Sequence, residues 1–153
     1  MNLNIVRDNT EEFKDFNSNQ LHHFNRNNCE YIKDNSSEQH SHKIPFGFKV
    51  LDQDKYIGGL TGVIRYGWCF VDILMIEDGY RKAGIGSKLI EQVEKFALEN
   101  NALGIRLWTW NFQAKEFYEK LGYVCYAEFK DCPPGTTEYH FMKSLTYLKP
   151  QRY

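Results

Sequence analysis

Residues 68–76, WCFVDILMI, restrict the fold more than any other stretch of this chain. The run is nearly all apolar, nine residues long, and bounded by Gly67 on one side and the turn-rich residues 77–80 on the other. It is far too short for a membrane helix, which needs about 20 apolar residues. A short, continuous apolar run between turns is the pattern of a central strand covered on both faces. Such a strand needs a layer above it and a layer below it, so the chain is expected to build a layered α/β domain.

The neighbouring residues supply those layers. Residues 46–51 (FGFKVL) alternate as a strand, residues 52–55 (DQDK) make a turn, and residues 56–66 return as a second strand. With residues 68–76 they predict an antiparallel meander. Downstream, Ile85, Leu89, Val93, Phe96 and Ala97 recur as one helical stripe that ends at Asn100 and Asn101. Residues 102–109 predict a further strand. Asn111 then starts a second helix, with Ala114, Phe117, Tyr118 and Leu121 facing inward and Gly122 as its stop. Residues 123–129 and 137–145 predict a last pair of strands around the turn 131–135. Upstream, residues 3–6 (LNIV) predict a short first strand. Asn9-Thr10 followed by Glu11 and Glu12 predicts a helix start carrying Phe13, Phe16, Leu21 and Phe24. Residues 25–43 are polar and rich in Asn and Ser, which predicts a mobile loop with at most one helical turn. The predicted order is β-α-βββ-α-β-α-ββ: one α/β (α+β) three-layer domain over residues 1–153 with a single mixed sheet.

Composition narrows the partners. A formal net charge of −1 leaves no basic excess to hold nucleic acid through its phosphates. No window is long and apolar enough for a membrane helix, and the N-terminal residues lack the apolar core of a secretory signal. The chain is therefore expected to be cytoplasmic. Cys29, Cys69, Cys125 and Cys132 are scattered without a C-x-x-C pair, and Cys69 and Cys125 sit in apolar runs as small hydrophobes do. His22, His23, His40 and His42 have no carboxylate or cysteine at a ligand spacing, so no metal site is expected.

Between the apolar strand and the helix lies YRKAGIGSKL, residues 80–89. It is not a dinucleotide fingerprint, because the third glycine position is Leu89. Nor is it a P-loop, because Gly86 is followed by Ser87-Lys88. Its amides nevertheless converge at a helix N-terminus, Gly84 and Gly86 permit close approach, and Arg81, Lys82 and Lys88 add positive charge. Taken alone, the turn fits a pyrophosphate cradle and a plain strand–helix connection equally well.

Two blocks together break that tie. Arg81-x-x-Gly84-x-Gly86 after a hydrophobic strand resembles the acetyl-CoA signature of the GNAT N-acetyltransferases. The segment Asn111-x-x-Ala114-x-x-Phe117-Tyr118-x-Lys120-x-Gly122-Tyr123 is similar to a second block of that family. The resemblance covers about residues 44–147, and residues 129–135 (FKDCPPG) are similar to a loop of many bacterial members. One departure is Lys82, where many members carry glycine; its side chain either points away from the phosphates or brings its ammonium to one of them, the second reading being preferred.

The resemblance implies a sheet of mostly antiparallel strands, flanked by helices, whose central strands splay apart around acetyl-CoA. It places the pantetheine arm along Leu74, Met75 and Ile76, with an amide near Met75 or Ile76 holding the thioester oxygen. The pyrophosphate falls on Arg81, Lys82, Ala83, Gly84, Ile85, Gly86 and Ser87, and Asn111 supports the cofactor or the splayed strand. Tyr118 is implied as the acid that protonates the departing thiolate. Glu77 is the first candidate for the base that deprotonates the acceptor amine, with Asp72 second and a water chain third. Trp108 and Trp110 share one strand face, as core or interface residues or, less simply, as an acceptor-pocket wall. The implied activity is acetyl transfer from acetyl-CoA to a primary amine by direct attack in a ternary complex, without metal. The acceptor is a small-molecule amine, with a peptide amine as the weaker alternative, and a homodimer is the default assembly. A non-catalytic CoA-binding module of the same fold is the competing function.

Overall fold

The computed structural model describes residues 3–37 and 42–145. The chain divides into two compact units at the junction of His42 and Lys43. In the first unit, α1 (Glu11–Asn28) is capped by Thr10, whose hydroxyl accepts from the Phe13 amide at 3.3 Å, and Glu11 and Glu12 occupy its first turn. A five-residue helix, α2 (Glu30–Asp34), follows. The Arg26 guanidinium donates to the Ser36 hydroxyl at 3.1 Å and to the Ser36 carbonyl, fixing the chain after α2 onto α1.

Two expectations for this unit are corrected. Residues 3–6 form no strand: they join no ladder, and Ile5 is 99% exposed. Four residues without a partner strand cannot offset the entropy of ordering. Nor are residues 25–37 a loop, because α1 continues to Asn28 and α2 follows, held by the Arg26 bonds. Residues 38–41, which include His40, lie outside the described set, as do residues 146–153 of the single domain expected over 1–153. Among the described residues no helix is long and apolar enough to cross a membrane.

The second unit holds the sheet. Strands β1 (Lys43–Asp52), β2 (Lys55–Arg65) and β3 (Trp68–Ile76) form the predicted meander, with β3 on the predicted residues. A 3₁₀ turn (Asp78–Tyr80) leads to α3 (Ile85–Glu99), then β4 (Gly104–Trp110), α4 (Lys115–Lys120), β5 (Val124–Lys130) and β6 (Thr137–Ser144). The strand order is β1-β2-β3-β4-β6-β5, and every pairing is antiparallel except β3 with β4. The expected mixed, mostly antiparallel sheet is therefore present.

The core lies where α3 crosses the sheet. Leu89, Ile90, Val93 and Ala97 are buried on α3, against Leu60, Cys69, Val71, Ile105, Leu107 and Phe141 from the strands. Of the predicted stripe Leu89, Val93 and Ala97 are buried, Ile85 and Phe96 pack half-buried against the core, and Ile90 is added. The second helix starts later than expected, at Lys115, and residues 111–114 are turns. The Gln113 side chain explains the delay. Its Oε1 accepts from the Trp110 amide and from the Thr109 hydroxyl, both at 3.1 Å, so it closes the end of β4 before the helix can begin.

Two local features shape the sheet's open end. The parallel ladder between β3 and β4 has three rungs, ending at Phe70 opposite Arg106; beyond them the strands part. On the other edge of β3 the register with β2 slips: Thr61 faces Ile73 and Gly62 faces Val71, leaving Asp72 as the extra, bulged residue. A bulge bends its strand and re-aims its side chains.

Candidate active site

The parting of β3 and β4 opens a cleft of about 1020 Å³. One limb is β3 from Asp72 to Ile76, the other is the end of β4 with Trp108 and Thr109, and Phe117 and Tyr118 of α4 also line it. The turn before α3 closes one end.

Strand alternation assigns the backbone groups on the open edge. The Glu77 amide donates to the Ile57 carbonyl on β2 at 2.9 Å, which makes residues 77 and 57 a hydrogen-bonded pair. Counting back along the register, the backbone of Met75 also faces β2, while Leu74 and Ile76 turn their N–H and C=O groups toward the cleft. The Ile76 carbonyl accepts the Arg81 Nε–H at 2.9 Å, which agrees with that orientation. Met75 thus lines the cleft, but its amide points the other way; the cleft-facing amides are those of Leu74 and Ile76.

The glycine turn is built for approach from the cleft side. Gly84 caps α3 with φ 77°, a left-handed conformation natural to glycine, and no atom lies within 4 Å of where its Cβ would stand. At Gly86 a Cβ would come within 3.2 Å of Phe117, so the absent side chain lets α4 pack close. The first-turn amides of α3, at Ile85, Gly86 and Ser87, have no acceptor within the helix and border the cleft. Lys82 has φ 63° and also borders the cleft. Arg81 is not the mobile charge its sequence context suggests: it is latched to Asp78 at 2.6 Å and to the Ile76 carbonyl. Ala83 lies in the same turn without lining the cleft.

Tyr118 is 5% exposed, packed edge-on against Phe117 and Tyr123. Burial pushes its phenol up to about 12. Its hydroxyl is not among the buried polar atoms left without a partner, so the tip retains access to the cleft it lines. Cys69, near the start of β3, is fully buried, and burial and the Asp72 charge raise its thiol to about 12. It is the inert small hydrophobe expected from its apolar run.

The two candidate bases separate. Glu77 stands outside the cleft lining and is ion-paired with Lys55 at 3.0 Å, which raises the pKa of that lysine. Asp72 lines the cleft at the bulge and has no hydrogen bond or ion pair among the described residues. Asn111 also lies outside the lining: its amide donates to the Thr137 carbonyl at 2.9 Å and its Oδ1 accepts from the Thr137 amide at 3.4 Å, tying β4 to β6.

Some site residues were not assigned from sequence. Phe112 and Gln113 line the cleft from the turn after β4. Trp108, Trp110 and Phe112 form a ladder of rings with centroids 5.1 and 5.4 Å apart, in which Trp108 and Phe112 reach the cleft. The Trp110 Nε1 is buried without a partner, so ring stacking rather than its polar tip sets this arrangement. Glu138 and His140, opposite Trp110 and Trp108 on β6, pair with each other at 2.6 Å. Aromatic residues at i, i+2 and i+4 were the available signal for the ladder, but a tight turn after Trp110 is needed to bring Phe112 into line.

Comparison with known proteins agrees with this geometry. The family model described as "Acetyltransferase (GNAT) family" matches residues 6–123. Blasticidin-S acetyltransferase of Streptomyces morookaense is 39% identical over 95 residues, covering 61% of this chain and 70% of that protein. A crystal structure of an acetyltransferase from Bacillus cereus superposes with a TM-score of 0.81 at 25% identity, covering 92% of this chain and 97% of that one. An N-acetyltransferase of Thermoplasma acidophilum, solved in complex with coenzyme A, shares the fold at 18% identity and a TM-score of 0.57, over 65% of this chain and 60% of its own. With the splayed strands, the Arg81–Gly86 turn and a family match over most of its length, the chain belongs to the GNAT acetyltransferase family.

Proposed function

We propose that this enzyme transfers the acetyl group of acetyl-CoA to a primary amine on a small molecule, by direct attack in a ternary complex. The observation that carries the reading is the unpaired edge of β3. Leu74 offers an amide and a carbonyl and Ile76 an amide, its carbonyl being held by Arg81, in a cleft running from the α3 N-terminus to Tyr118. An extended chain bearing amide groups satisfies such an edge as an added strand does. The free amides at the start of α3, with Lys82 and Lys88, suit a pyrophosphate. The relative named for blasticidin-S favours a small-molecule acceptor over a peptide.

When bound, acetyl-CoA supplies the acetyl group as an activated thioester. Asp72 accepts the ammonium of the acceptor and takes its proton; it is favoured over Glu77 because it lines the cleft and has no partner among the described residues. The amides of Leu74 and Ile76 are the donors for charge that develops on the acyl oxygen. Tyr118, held protonated at neutral pH by burial, delivers a proton to the departing sulfur. Among the described residues no cysteine lines the cleft, which favours direct attack over an acyl-enzyme. The proposal treats residues 1–153 as one domain, for which a single cooperative unfolding transition is expected.

The test is acetyl-CoA-dependent release of CoA across a panel of amines. Asp72→Asn is expected to lower kcat by about 100-fold, within the range for a lost general base, while Glu77→Gln changes it only a few-fold. Cofactor binding with no release for any amine would return the chain to the non-catalytic alternative.

A further inference from the structure

The cleft is electrically polarised. Its charged lining residues are Arg81 and Lys82 at the α3 end, and Asp72 at the apex of the fork. Asp72 lies two residues past the last β3–β4 rung, and Trp108 lies two residues past the same rung on the other limb. Both therefore stand at the narrow end of the opening and line it. Around them stand Ile73 on β3 and the ring ladder that shows Trp108 and Phe112 to the cleft, while the polar Thr109 and Gln113 of the same limb bond to each other. Glu138, opposite Trp110 on β6, is engaged by His140.

We infer that the acceptor is a monocationic amine carried on a flat, unsaturated ring, its ammonium at Asp72 and its ring against Trp108 and Phe112. The inference rests on the acetyl-transfer reading of the same cleft and narrows it. One carboxylate neutralises one ammonium. A polycation would find no second carboxylate among the described residues that line the cleft, and moving a further charge along it leads toward Lys82, which is unfavourable. An aromatic face attracts both a planar ring and a cation beside it. A sugar-based polyamine has little flat apolar surface to offer that wall.

The experiment compares CoA release with tryptamine, spermidine and kanamycin as probes, using wild type, Trp108→Ala and Trp108→Phe. Wild type is expected to show a kcat/KM for tryptamine at least about tenfold above that for either polycation, as one aromatic contact and one misplaced charge together imply. Trp108→Ala is expected to raise the tryptamine KM about tenfold, Trp108→Phe to restore most of the loss, and the acetyl-CoA KM to stay within about twofold in both. Preference for spermidine or kanamycin overturns the inference while leaving acetyl transfer standing. So does a tryptamine KM that Trp108→Ala leaves unchanged. Absence of CoA release with these three probes and with every amine of the wider panel, despite acetyl-CoA binding, overturns the inference and the acetyl-transfer reading together.

Discussion

Tyr118 combines burial with access. Its ring is fixed among Phe117, Tyr123 and Phe141, and its hydroxyl remains at the cleft. A phenol raised to about 12 is a weak acid, yet it is fully protonated across the working pH range and needs no hydrogen-bond rearrangement to donate. Tyr118→Phe keeps the ring packing and removes the proton. Turnover is expected to fall by about 100-fold with acetyl-CoA affinity within about twofold, measured as kcat and as direct cofactor binding. Unchanged kcat would remove the residue from the chemistry. Tyr118 was legible in the sequence because the Phe-Tyr pair sits inside a spaced block. The preference for Asp72 over Glu77 was not legible. Glu77 stands nearer the glycine turn in sequence, and only the bulge in β3 and the reach of Lys55 to Glu77 reverse the order.

At the scale of elements, the cleft exists because β3 keeps β4 for three rungs and then lets it go. The bulge opposite Gly62 contributes to that bend. A Cβ on Gly62 would collide with the Phe70 carbonyl and stand 2.6 Å from the Phe46 ring, so β2 can approach the bulged strand only without a side chain there. Gly62→Ala is therefore expected to destabilise the fold by about 1–3 kcal/mol, as overpacking does, in a urea unfolding curve. It is expected to weaken acetyl-CoA binding as well, because relief of the clash moves the strand whose edge faces the cleft. Stability within about 0.5 kcal/mol of wild type would show that the bulge does not depend on this glycine. Elements with a full hydrophobic period, β3 and α3, could be read from the sequence almost to the residue. Residues 3–6 could not, because strand propensity over four residues says nothing about whether a partner strand is present. The polar stretch after Phe24 was also opaque: its helices are held by Arg26 reaching the residues after α2, a contact without periodicity.

Taken as a whole molecule, the second unit buries three proton-bearing groups in one cluster: Cys69, Tyr118 and Tyr123. Burial raises all three, Cys69 and Tyr118 to about 12 and Tyr123 further still with help from the neighbouring Glu94 charge. In the unfolded chain a thiol releases its proton near pH 8.5 and a phenol near pH 10. Above those values the unfolded state binds fewer protons than the folded state, so stability falls as pH rises; below them the contribution is constant. Stability is thus expected to be flat with respect to these groups up to about pH 8.5 and to decline progressively toward pH 12. Lysines also titrate in the upper part of this window, so the decisive comparison is between variants. Tyr118→Phe removes one buried phenol without changing the packing, and its melting temperature between pH 9 and 11 is expected to decline less steeply than that of wild type. Equal slopes would mean that Tyr118 ionises as readily in the folded protein as in the unfolded one. The hydroxyl would then be solvated rather than buried beside the cleft, and the dry setting assigned to proton delivery at the sulfur would be lost with it.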